Sequence, residues 1–323
     1  MKIQIIGPGA VGPLLGALLR LKGHDISLRG RRAVQPGATV LRVVLPDNWL
    51  LVEGVQRLGP EPSGENPDLF VVTLARHHLH ALRRPDFTRI TGSGDSEIAF
   101  FNCDPLEVER LAVPGERVRL CLSLLCAVML QDNDVELATA APIIVYERSP
   151  LLAGVFAQLA SFGFKSLAVD DARPYLNSLL LSQLLFLPVA MCNTTLECFL
   201  SFPEGRELAH LMLGEGISAM HRAGLPLAAL PAMDPRELSA RIERKPGSFD
   251  AAGAAPGRAY NSVLQSMLRG RPTEAAQMNK RIVEIASAAG LHLTWNWRIL
   301  QKAGRVSGVG FFQSPGDLLH SLV

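Results

Sequence analysis

The sequence predicts two domains of different class, a doubly wound, mostly parallel α/β domain over residues 1–170 and an all-α domain over 171–323. Three observations predict this. The first 32 residues read as strand, glycine turn, helix and strand. Short apolar runs then alternate with helical signal as far as Val169. From Asp170-Asp171 onward almost every segment has helical spacing. The first pattern gives a parallel sheet wrapped by helices, and the second gives helices packed on helices.

Lys2-Ile3-Gln4-Ile5-Ile6 is a short apolar run bounded by glycine, which suits a buried parallel strand. Gly7-Pro8-Gly9-Ala10-Val11-Gly12 then spells G-x-G-x-x-G. Pro13 to Lys22 carries leucines and alanines at helical spacing, Gly23 closes that helix, and Asp25 to Leu28 is a second strand. In such a unit Gly7 makes the tight turn, Gly9 lets the backbone approach a pyrophosphate, and Gly12 allows close helix–strand packing. The phosphates sit at the helix N-terminus, among free N–H groups and the positive end of its dipole. Gly7, Pro8, Gly9, Ala10, Val11 and Gly12 are therefore candidate dinucleotide-binding residues, and the first domain is a candidate Rossmann domain. A cofactor without a 2′-phosphate usually meets Asp or Glu at the end of the second strand. This chain offers Arg29, Gly30, Arg31 and Arg32. Arg29 and Arg31 suit a 2′-phosphate through forked, charge-assisted hydrogen bonds, so NADP(H) is the expected cofactor. A solvated basic turn is the alternative reading.

Ala38 to Leu45 and Leu50 to Val55 read as a hairpin around Pro46-Asp47-Asn48, and Pro60 to Pro67 as a loop. Asp68 to Leu74 is a further buried strand, with a helix beginning in Ala75 to Leu82. Glu97 to Phe101 runs straight into Asn102-Cys103-Asp104-Pro105. Val118 to Leu125, Pro142 to Tyr146 and Lys165 to Val169 are the remaining strand candidates, with Pro150 to Phe162 helical. The expected helices of the second domain are 172–199, 203–223, 234–244, 257–268, 273–289 and 296–303, with Asp170 or Asp171 as a cap for the first. Pro246 to Pro256 is a loop.

Composition narrows the function classes. The chain has 323 residues, 48% of them apolar, enough to bury a substantial core in two domains. A net charge of +2 argues against a nucleic-acid partner driven by bulk charge. Five cysteines with no C-x-x-C read as reduced thiols, and no metal site is expected. The chain enters its first strand at once, without a signal pattern, so a cytoplasmic location is expected. The apolar run Leu179 to Met191 is short and interrupted by Ser182, Gln183 and Pro188, so it reads as a buried core helix and no membrane partner is expected.

The second half carries motifs at a recognisable spacing. Asn261-Ser262-Val263-Leu264-Gln265 precedes Arg269-Gly270-Arg271-Pro272-Thr273-Glu274, and then come Asn279, Gly290 and Trp295-Asn296. With the glycine turn, the arginine after the second strand and the strand–Asn102 junction, this resembles the 2-dehydropantoate 2-reductase (ketopantoate reductase) family over nearly the whole chain. The resemblance implies a Rossmann domain joined to a helical domain, and NADPH-dependent reduction of the 2-keto group of a small 2-keto acid on the route to pantothenate. It implies Ser262 at the substrate carboxylate, Glu274 orienting substrate or catalytic groups, and Asn102 beside nicotinamide and substrate. Thr73, Leu74 and Arg76 join the expected cofactor contacts, and Glu215 matches a further acidic position. A homodimer through the helical domain is compatible with it. Each of Ser262, Asn102 and Glu274 also has a purely structural reading, as helix-face serine, turn former and helix-start acid.

Three departures bear on mechanism. The family places a general-acid lysine in a W-x-K setting on the first helix of its second domain. That setting here is Tyr175-Leu176-Asn177, and no lysine occurs from Ser166 to Arg244. Asn177 is therefore the candidate catalytic residue by direct match. Matching Pro188 instead puts Leu179 at the lysine and makes Gln183 a candidate substrate contact. Second, Ala75-Arg76 stands where a lysine usually follows the strand. Third, the family's two N-G pairs are Asn102-Cys103 and Asn279-Lys280. A positioned general acid contributes ~10²–10⁴-fold. An amide can donate a hydrogen bond but cannot deliver a proton at neutral pH, and Arg76 holds its proton too firmly. His77, His78 and His80 could donate from the end of a sheet strand, although a solvated helix face is the plainer reading. Three functions lead: a reductase of this kind with changed substrate or donor, an NADP(H)-binding sensor that has lost turnover, and a true ketopantoate reductase with another acid; an opine- or hydroxyacid-type dehydrogenase on the same architecture is a minor further option.

Overall fold

The computed structural model describes residues 1–7, 9–30, 37–59, 66–92, 95–111, 117–231, 234–244, 263–264, 275–305 and 312–323. The chain divides into two compact units, Met1–Arg173 and Pro174–Val323. The first is a Rossmann-type α/β domain and the second is helical.

Among the described residues the first unit holds one eleven-stranded sheet in the order β11-β10-β7-β6-β5-β1-β2-β4-β3-β9-β8. The strands are β1 (Lys2–Ile6), β2 (Asp25–Arg29), β3 (Gly37–Val44), β4 (Trp49–Leu58), β5 (Leu69–Val72), β6 (Glu97–Phe101), β7 (Val118–Leu124), β8 (Ala127–Gln131), β9 (Asp134–Leu137), β10 (Ile143–Glu147) and β11 (Lys165–Val169). β1 lies at the centre, parallel to β2 on one side and to β5 on the other. The chain leaves β1 through α1 (Val11–Leu21) toward β2, and later crosses back to β5. The carboxyl end of β1 is thus the topological switch point, where open α/β sheets leave a crevice. β5 is buried on both faces, as parallel strands are. The expected hairpin is β3 with β4, antiparallel.

Four short helices complete the unit: α2 (Arg76–Ala81), α3 (Arg84–Thr91), α4 (Pro105–Leu111) and α5 (Pro150–Ala157), the last continuing as a 3-10 turn over Gln158–Phe162. The sequence reading contained neither α3 and α4 nor the β8–β9 hairpin.

The helical unit contains α6 (Arg173–Gln183), α7 (Phe186–Met191), α8 (Leu196–Ser201), α9 (Pro203–Arg222), α10 (Pro235–Arg244), α11 (Ala275–Ala288), α12 (Thr294–Arg305) and α13 (Pro315–His320). The single helix expected over 172–199 is three. Pro188 has no N–H to give to residue 184 and its ring clashes with that carbonyl, so the chain breaks after Gln183 and resumes with Pro188 in the first turn of α7. Asn193 at φ 49° then ends α7, and the Thr195 hydroxyl accepts from Cys198 N–H to start α8. Asp171 does meet the start of α6, accepting from Arg173 N–H at 2.9 Å. Leu181, Leu184, Leu208, Met212, Ile282 and Ile299 anchor one shared core. The expected loop 246–256 and nearly all of the helix 257–268 lie outside the described residues.

Candidate dinucleotide site and helical-domain motifs

The glycine turn is built by close contact between the ends of β1 and β5. Gly7 has φ 115°, which glycine alone adopts easily. Its N–H donates to Arg29 O at 3.1 Å, and its carbonyl accepts from the Thr73 hydroxyl at 2.8 Å. A Cβ on Gly7 would lie 2.8 Å from the Thr73 carbonyl carbon. A Cβ on Gly12 would strike the Gly7 carbonyl and sit 2.8 Å from Thr73 Oγ1. Gly9 is the opposite case, because a Cβ there would meet nothing within 4 Å among the described residues. Two glycines therefore serve packing and the third faces open space.

Beyond the turn, α1 starts without help from side chains. Ala10 is its N-cap and offers no hydrogen bond, and no acidic residue lies in the first turn. Pro13 sits in that turn, where its missing N–H costs little. The first-turn amides are thus left for an anion at the positive end of the helix dipole. An open Gly9, an uncapped helix start and a switch-point position fit the pyrophosphate of a dinucleotide. Pro8 lies outside the described residues.

The arginines after β2 separate. Arg29 is 2% exposed. Its Nε donates to Gln4 Oε1 at 3.1 Å and its Nη1 to Gly59 O at 3.0 Å. The last residue of β2 thus ties β1 to the end of β4, a structural use of Arg29 beside the cofactor contact expected of it. Arg31 lies outside the described residues.

The remaining residues of this unit divide between support and exposure. Thr73 braces the glycine turn and, with Leu74 and Arg76, is half-buried at the end of β5. Asn102 stands at φ 54°, a left-handed conformation asparagine tolerates. Its Nδ2 donates to Ser123 Oγ at 3.0 Å, and its Oδ1 accepts from Ser123 N–H at 2.8 Å. Asn102 is therefore a clamp between β6 and β7 as well as a residue at the sheet's carboxyl end. Ser123 escaped the sequence reading; its signal was a small polar residue near the end of an apolar strand. His77, His78 and His80 all lie on α2, and His80 is exposed beside Glu107, 2.8 Å away.

In the helical unit Asn177 Nδ2 donates to Pro226 O at 2.9 Å, and the neighbouring Ser178 hydroxyl donates to Ala228 O at 2.7 Å. Both fasten the 226–228 segment onto α6. Leu179 is buried, whereas Gln183, one turn further, has an Oε1 that is buried without a partner among the described residues. Glu215 accepts from the Trp295 and Asn296 N–H groups at 3.0 Å each. It caps the N-terminus of α12, so its acidic position has a structural use. Asn296 and Asn279 are fully buried. Asn296 Nδ2 also reaches Met212 O at 3.0 Å, and Asn279 Nδ2 lies 3.5 Å from Asn296 Oδ1. This polar staple joins α9, α11 and α12. Ser262 and Glu274 lie outside the described residues.

Residues 188–306 match the model of the ketopantoate reductase PanE/ApbA C-terminal domain. The matched stretch lies within the helical domain, which is thus similar to that family's C-terminal domain. The stretch that matches includes Glu215, Asn279 and Asn296, the parts of the staple. No curated protein matches the chain in sequence. Among solved structures, the fold is shared with D-mandelate dehydrogenase in ternary complex with NADH and anilino(oxo)acetate, at a TM-score of 0.77 and 16% identity over 99% of this chain and 100% of that one. It is shared with 2-dehydropantoate 2-reductase from Geobacter metallireducens GS-15, at 0.75 and 19% identity over 94% and 99%. The dimeric ketopantoate reductase from Staphylococcus aureus gives 0.70 and 16% over 94% and 98%.

Proposed function

We propose that the chain is an NADPH-dependent reductase of a small 2-keto acid, related to ketopantoate reductase but with a changed substrate or proton donor. The observation that carries this is the glycine turn, with Gly9 facing open space before an uncapped helix at the switch point. A nicotinamide dinucleotide supplies hydride when bound. Gly7, Gly9, Gly12 and the α1 amides would hold its pyrophosphate, and Thr73 would keep the turn in place. NADPH is favoured over NADH because no Asp or Glu occurs from Ile26 to Pro46, while Arg31 and Arg32 follow the second strand. Substrate contacts fall to Gln183, Ser262 and Glu274, with Asn102 and Arg76 on the cofactor side. A neighbour of the same fold is a dimeric ketopantoate reductase, which makes a homodimer of this chain part of the proposal. Calorimetric titration with NADPH and NADH tests the reading. Arg31→Ala weakens NADPH binding far more than NADH binding, and equal affinity of the unmodified protein for both would overturn the preference.

One observation favours a second reading, an NADP(H)-binding sensor without turnover. α6 carries no cation at either alignment of the family lysine, since Asn177 is tied to Pro226 and Leu179 is buried. The dinucleotide site is common to both readings, so only turnover separates them.

A further inference from the structure

We propose that Arg110 is a positioning residue for the dinucleotide site, holding α2 so that the Thr73–Arg76 segment stays against the glycine turn. This rests on the dinucleotide reading above. α2 has six residues, far too few to be stable alone, and its N-cap Ala75 contributes no side-chain bond. Its carbonyl end is secured by one side chain from α4. Arg110 Nη2 donates to Leu79 O at 3.0 Å and to His80 O at 3.2 Å, and Nη1 donates to Leu82 O at 3.0 Å. Leu79 O also accepts from the Leu82 N–H at 3.1 Å, so Arg110 adds a second bond there and reaches two further carbonyls at the helix end, where a cation also suits the helix dipole.

The guanidinium is itself fixed. Its Nε donates to Glu107 Oε2 at 2.8 Å, and Glu107 Oε1 lies 2.8 Å from His80 Nδ1. Burial works to raise the Glu107 carboxyl, but hydrogen bonds from His80 and Arg110 outweigh it and hold the group below its ordinary value. α4 begins three residues after Asn102, which is clamped to Ser123. At its other end α2 is continuous with Thr73 and Leu74. These touch the turn without slack, through the Thr73 hydroxyl on Gly7 O and through the two glycine positions that admit no Cβ. A displacement of α2 is therefore passed directly to the turn.

The test compares Arg110→Ala, Arg110→Lys and, as an exposed control on α3, Arg89→Ala. NADPH affinity, thermal midpoint and amide hydrogen exchange are read on the full chain. Arg110→Ala is expected to raise the NADPH Kd about two- to thirtyfold. Arg110→Lys, which keeps the cation but not the fork, restores part of the loss, and Arg89→Ala changes nothing. Exchange should quicken at Leu79–Leu82 and also at Thr73–Arg76, with β1 and β5 still protected. Glu107→Gln keeps Arg110 and removes its carboxylate partner, giving the same test in milder form if Arg110→Ala does not fold. An unchanged Kd in the folded Arg110 variants, or faster exchange confined to Leu79–Leu82, overturns the inference while leaving the site intact. Failure of the unmodified protein to bind NADPH or NADH overturns the site reading, and this inference with it.

Discussion

At the scale of single residues, Gly9 separates binding from folding. Gly7 and Gly12 are enclosed by backbone and the Thr73 side chain, so their substitution damages the fold itself. Gly9 is open, so Gly9→Val is expected to keep the thermal midpoint while abolishing NADPH binding by calorimetry; normal binding would show that the turn is misassigned. His24 gives a pH prediction. It is buried at the end of α1, with Nε2 donating to Gln158 Oε1 at 3.2 Å and Nδ1 buried without a partner among the described residues. Burial pushes its pKa below the ordinary histidine value, the Gln158 hydrogen bond works the other way, and the Met1 amino group adds to the depression. The folded protein thus binds the proton less readily than the unfolded chain. Stability is full above the ordinary value and falls as pH drops from it toward the lowered one. His24→Gln should flatten the fall in thermal midpoint between about pH 7.5 and about pH 5.5; an identical slope in both proteins would contradict it. The glycines were legible because a motif spacing encodes backbone geometry. The inward turn of Arg29 was not, because its partners Gln4 and Gly59 are 25 and 30 residues away.

Elements were read best where periodicity is local and worst where tertiary partners decide. β1, β6 and β11 have the bounds their apolar runs suggest. The β8–β9 hairpin escaped because Ala127–Gln131 follows β7 without a glycine or proline break, and β9 pairs with the distant β3, Arg42 opposite Asp134. The 172–199 run looked like one helix because leucine spacing survives the break that Pro188 imposes. Two predictions belong here. Glu215→Ala leaves the Trp295 and Asn296 N–H groups at the start of α12 without their acceptor, and is expected to cost about 1–3 kcal/mol in urea unfolding; a loss well below that would mean water replaces the cap. On α6 the prediction takes the alignment through Leu179. Asn177 is occupied by Pro226, while Gln183, one turn from Leu179, keeps an unpartnered acceptor. Leu179→Lys should therefore raise the rate on ketopantoate and Asn177→Lys should not. The reverse order would restore the direct match.

For the molecule as a whole, the change from alternating strands and helices to helices alone is visible in the sequence because each domain class has its own period. The chain divides into two compact units, Met1–Arg173 and Pro174–Val323. Substrate choice was not legible in the same way. It depends on side chains from several segments, and the departure with the clearest chemical meaning under the proposed resemblance is the absence of a lysine on α6. Loss of a positioned acid costs ~10²–10⁴-fold, yet hydride chemistry with another donor survives it. The most direct measurement is steady-state NADPH consumption by the unmodified protein with ketopantoate and a panel of other small 2-keto acids, Gly9→Val serving as the blank. The account predicts turnover on at least one 2-keto acid, little or none on ketopantoate, and none by the variant. NADPH binding without turnover of any 2-keto acid, or a kcat on ketopantoate in the ordinary range of roughly 1–10³ s⁻¹, would contradict it.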